Sequence, residues 1–89
     1  MSGELPTEVG REFLLTELKT GLTFADLALS APHGDVVKIQ RDTHNARKAY
    51  DSFQRFRSRV SLTDHENTEL QEIADQLKRA LQQLGEPMA

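Results

Sequence analysis

GREFLLTELKTGLTFADLAL, residues 10 to 29, is the most apolar stretch of this 89-residue chain, and its reading decides the fold. At about 100° per residue, Leu15, Leu18, Leu22, Ala25 and Leu29 fall in one stripe at alternating steps of three and four, the mark of a core-facing helix. A second stripe, Val9, Phe13, Phe24 and Leu27, with Thr16 and Thr20 between its members, projects to roughly the opposite side. Leu14, Gly21 and Ala28 connect the two. Only Glu8, Glu12, Lys19, Thr23 and Asp26 make a clearly polar strip, so the apolar arc spans roughly 240°, where a surface helix needs little more than ~100°. Such a helix calls for neighbours on several sides.

Gly21 costs about 1 kcal/mol relative to Ala in a helix interior. Both stripes keep phase across it, which favours a continuous helix with a neighbouring backbone close by over a hinge. Upstream, Met1 to Pro6 reads as a frayed lead-in, Thr7 as an N-cap and Glu8 as an acid placed for the helix dipole. The first helix is therefore expected over residues 8 to 29.

Downstream, Ser30-Ala31-Pro32-His33-Gly34 concentrates helix breakers, and Asp35 follows as a capping acid. From there Ile39, Thr43, Ala46, Tyr50, Phe53 and Val60 hold a heptad-like seam, widened by Val36, Ala49 and Phe56, which predicts a long helix over 35 to 60. Arg57 projects onto the same seam, where its long stem is expected to carry the charge out to an acid or to solvent. Lys38, Arg41, Lys48, Arg55 and Arg59 form a basic ridge on the other side.

Thr63-Asp64-His65-Glu66 is a capping box that starts a third helix. Leu70, Ile73, Leu77, Ala80 and Leu84, with Ala74 and Leu81, make its apolar face, and Glu69, Glu72, Asp75 and Arg79 its polar one. Gly85 and Pro87 end it, giving a span of 63 to 84. Nothing alternates as a strand does, and the connections suit only antiparallel neighbours. Residues 1 to 89 thus read as one all-α domain, an antiparallel three-helix bundle running up, down and up.

Composition narrows the chemistry. A chain without cysteine has no disulfide, no thiolate nucleophile and no Cys-based metal site, which fits the cytosol. The N-terminus has acids where a secretory leader has bases, and no apolar run resembles a membrane segment, so a soluble protein is expected. The net charge of −3 hides a pattern. Residues 1 to 31 carry five acids and two bases, residues 32 to 60 three and seven, and residues 61 to 89 six and two.

Several sharper readings fail on their missing parts. Leu62-Thr63-x-x-Glu66 with Leu70 and Ile73-Ala74 could open a DNA-binding helix-turn-helix, but no turn and recognition helix follow, because the helical pattern runs on to Leu84. Ala46, Tyr50 and Phe53 behind Gly21 and Phe24 supply only fragments of a helical-repeat pattern. His65 and Glu69 share a face at a metal-compatible spacing, yet two ligands do not make a site, and neither metal nor other cofactor is expected. No glycine elbow or phosphate-cradling loop is present, so the chain does not read as an enzyme.

Two functions are left. The surplus apolar face of the first helix suggests a non-enzymatic interaction module that forms a homodimer or docks a partner helix through Val9, Phe13, Thr20, Phe24 and Leu27. The alternative is nucleic-acid or anion binding by the ridge Lys38, Arg41, Lys48, Arg55 and Arg59, which the flanking acidic segments disfavour.

Overall fold

A computed structural model describes residues 7–88, with side chains from residue 9 onward. The lead-in lies outside the described residues, as do the side chains on which the Thr7 cap and the Glu8 dipole contact would rest. Three helices make up the fold: α1 (Thr7–Ser30), α2 (Val36–Phe56) and α3 (Asp64–Gln83). Among the described residues there is no strand, and the helix contacts are those of a bundle.

α1 is the hub, since it packs extensively on both other helices while α2 and α3 meet over a smaller area. It is continuous through Gly21, as its unbroken periodicity predicts. A Cβ at Gly21 would stand 2.6 Å from Leu77 Cδ2 and 3.2 Å from Ala49 Cβ, so the missing side chain makes room for α2 and α3 to approach α1 this closely.

The buried line of α1 is Leu14, Leu18, Gly21, Ala25 and Ala28, which corrects the expected core stripe. Its centre lies on the residues that link the two stripes. Leu15 and Leu22 move to one flank of the core and Phe13 and Phe24 to the other, and Leu29 is 44% exposed. Small residues are the cause. Ala46 and Ala49 of α2 meet the Gly/Ala side of α1, and the short distance between backbones lets two helices serve both flanks of the wide apolar arc.

α2 begins on its expected cap, the Asp35 carboxylate accepting from the Lys38 N–H at 3.2 Å. It stops earlier than its sequence pattern predicts. After Phe56 the chain tightens into a 3-10 turn over Arg57–Arg59, and Val60 is extended and buried. Arg57 meets no acid among the described residues and stays partly exposed. Its guanidinium lies 5.1 Å from the centre of the Phe53 ring and donates to the side-chain amides of Asn67 and Gln71, which ties the end of α2 to α3.

Asp42 is the main surprise of α2, a carboxylate only 2% exposed on the packed side of the helix. Lys38 Nζ donates to it at 2.8 Å and Arg41 Nε at 3.4 Å, so the buried charge is paired. The Lys38 hydrogen bond, aided by Arg41, holds its pKa below the ordinary carboxylate value. Next to it, Thr43 Oγ1 is buried with no hydrogen-bond partner among the described residues.

α3 follows its sequence pattern closely. Thr63 Oγ1 accepts from the Glu66 N–H at 3.1 Å and the Thr63 N–H donates back to Glu66 at 2.9 Å, a reciprocal cap worth about 1 kcal/mol. Leu70, Ala74, Leu77 and Leu81 are buried. At the far end Gly85 takes φ 89°, while the Gly85 and Glu86 N–H groups donate to the carbonyls of Gln82 and Leu81. Beyond it Arg47 holds the tail, Nη1 donating to the Pro87 carbonyl at 2.9 Å.

Glu66 also has a lowered pKa, chiefly through the Thr63 N–H, with Arg11 contributing. For Asp42 and Glu66 alike the folded value lies below the unfolded one. Their contribution to stability is therefore complete above the ordinary carboxylate range of about 4, and it disappears as pH falls through the lower folded values. Asp42→Asn is expected to be less stable than the parent chain near neutral pH, with the gap closing as pH falls below the ordinary carboxylate range. Urea midpoints at several pH values would measure this, and a gap that stayed constant would show that folding leaves the Asp42 pKa unchanged.

Candidate interaction surface

Along the outer side of α1, Val9, Phe13, Thr16, Thr20, Thr23 and Leu27 follow one another at steps of four and three, with Phe24 beside Thr23. None is charged. The steps are those of a coiled-coil seam sustained for nearly three heptads. At 1.5 Å per residue it is roughly 27 Å long.

The five residues expected at an interface do not share one environment. Val9 is 55% exposed and Leu27 40%, and Thr20 is exposed between them. Phe13 and Phe24, expected on the surplus apolar face, are half-buried and pack on the core. The Phe13 ring meets Phe56 of α2 edge to face, with centroids 5.7 Å apart and planes at 84°. The close α1–α2 approach brings that ring within reach. What is left open is a strip of Val, Thr and Leu with two phenylalanine edges along one border.

On one side of the strip α1 carries Glu12, Lys19 and Asp26, all exposed. On the other side stands α2. Its ridge residues divide into two groups. Lys38 and Arg41 are engaged with Asp42. Arg55 and Arg59 set their guanidinium groups 5.9 and 5.3 Å from the Phe56 ring, and Lys48 is exposed between the two groups. The five charges thus do not form one uniform rail.

A second apolar area lies around the α1–α2 connection, where Leu29, Val36 and Val37 are exposed. A cleft of about 260 Å³ opens there between Leu29, Ile39 and Leu84. The hydropathy pattern counts Val36 toward the seam and attaches no role to Val37. Because both sit in the first turn of α2, no third helix lies over them.

The remaining polar groups are accounted for locally. His65 Nε2 is 2.9 Å from Glu69 Oε1, and Arg11 bridges Glu66 and Glu69 at 3.5 and 3.3 Å, linking the start of α1 to the start of α3. Among the described residues no group of three His, Cys, Asp or Glu side chains could hold a metal ion. No helix there is long and apolar enough to cross a membrane. Sequence reasoning missed Arg11, Asp42 and Arg47 as structural ties. The spacings of four from Lys38 to Asp42 and from Arg47 to Asp51 were the local signals. Comparison with protein-family models, with curated proteins and with solved structures gives no match.

Proposed function

We propose that this chain is a non-enzymatic interaction module, an antiparallel up-down-up bundle that self-associates through the outer strip of α1. The observation that carries the reading is the run of uncharged residues from Val9 to Leu27, which keeps the heptad spacing of a helix-helix seam on the side of α1 that faces away from α3 and Leu77. A solvated face of that length ordinarily carries charge. Three threonines in the seam make the pair weak and reversible. A partner helix with the same spacing would fit the same strip.

The polyanion reading has less support, because Lys38 is committed to Asp42 and acidic surfaces lie on α1 and α3. It predicts a steep salt dependence of duplex binding.

Sedimentation across a concentration series tests self-association. The Thr20→Glu, Leu27→Glu double variant is expected to stay helical and monomeric at concentrations where the parent chain dimerises, since both positions are exposed. Those sites are better probes than Phe24, which supports the core. A parent chain that remains monomeric at millimolar concentration would remove the proposal.

A further inference from the structure

Resting on that self-association, the charges bordering the strip point to its orientation: we propose that two copies pair with their α1 helices parallel, about a two-fold axis that runs along the strip. The strip alone does not choose. A parallel pair sets each residue against itself, and an antiparallel pair sets Val9 against Leu27 and Phe13 against Phe24, so apolar meets apolar in both.

The borders do choose. A two-fold axis along the helix direction brings the Glu12/Asp26 border of one copy against the α2 border of the other. A perpendicular axis brings each border against its own kind. Axial level along the bundle follows from two contacts between α1 and α2, Phe13 with Phe56 and Gly21 with Ala49. By that register Arg55 and Arg59 lie near the level of Glu12, and Arg41 near that of Asp26.

In the parallel pair, Glu12 therefore faces the other copy's Arg55 and Arg59, and Asp26 faces its Arg41. Symmetry makes each contact twice. Lys19 opposite Lys48 is a like-charged approach. In the antiparallel pair Glu12 would face Asp26, Lys19 would face itself, and the α2 bases would face each other. Opposite charges across a contact set orientation more strongly than they set affinity. The exposed parts of the basic ridge thus gain a role that the isolated chain does not give them.

The absence of native cysteine makes the test direct. Val9→Cys and Leu27→Cys, both at exposed positions, are expected to form disulfide-linked dimers with themselves under mild oxidation. A mixture of the two variants is expected to give no mixed dimer above what random collision gives. In an antiparallel pair the result inverts, because the two Val9 positions would then lie roughly 27 Å apart. A mixed dimer that dominates, in a chain that sediments as a dimer, overturns the orientation and leaves self-association standing. A chain that does not dimerise overturns both. As a charge test, Glu12→Arg is expected to weaken dimerisation several-fold and Arg55→Glu in the same chain to restore it; equal weakening by both changes together would also overturn the parallel arrangement.

Discussion

Replacing Phe53 with alanine is expected to remove roughly half of the chain's stability. Phe53 is the largest side chain with no exposed surface, and it sits where the end of α2 meets the rest of the core. Removing a buried phenylalanine costs about 3 to 5 kcal/mol, partly as lost transfer energy and partly as the cavity left behind. A domain this small has about 5 to 10 kcal/mol of total stability, so the loss takes roughly half of it. The Arg57 guanidinium over the ring would lose its support as well. Helix content at 222 nm against urea would give the shift. A loss under about 1 kcal/mol would mean that the neighbouring helices collapse into the vacated space, contrary to a tightly packed centre.

Gly21→Ala sets two known effects against each other. Alanine gains about 1 kcal/mol in helix propensity. Its Cβ, however, would meet a Leu77 side chain that is itself fully enclosed, and behind it Ala49. Overpacking of this kind costs about 1 to 3 kcal/mol, so net destabilisation is expected. Leu77→Ala alone should cost about 2 to 5 kcal/mol. The informative variant is the double one. With Leu77 shortened, the new Cβ enters vacated space, and Gly21→Ala should become neutral or stabilising on that background. If the two losses simply add, the helices are not in contact at this point.

The two predictions concern residues of unequal visibility in the sequence. Phe53 and Leu77 stand on strongly periodic helices, and their burial follows from spacing. The start and stop of α3 were also legible, because the capping box and Gly85 act within a few residues of the chain. α1 was harder. Large side chains dominate a hydropathy pattern, and they drew the expected core toward Leu15 and Leu29, whereas the true seam is carried by Gly21, Ala25 and Ala28, whose importance lies in how little room they take. The same oversight made Phe13 and Phe24 look uncovered. Asp42 was illegible for a different reason, since a carboxylate argues for solvent until its partners are known. The end of α2 was misplaced because Val60 continues the apolar spacing after the backbone has left the α-helix. Of the candidate surface, the sequence showed the residues but not which of them stay open.

The close pairing of α1 with α2 has a further consequence in time rather than in energy. These helices are sequence neighbours, joined through residues 31–35, and closing so short a connection sacrifices little chain entropy. The tightest helix pair in the molecule is thus also the one that a collapsing chain meets first, which is the arrangement that gives rapid folding. α3 then docks on a surface already formed. A defect at Ala46 or Ala49 would accordingly appear as slower folding, while one at Leu81, late on α3, would appear as faster unfolding.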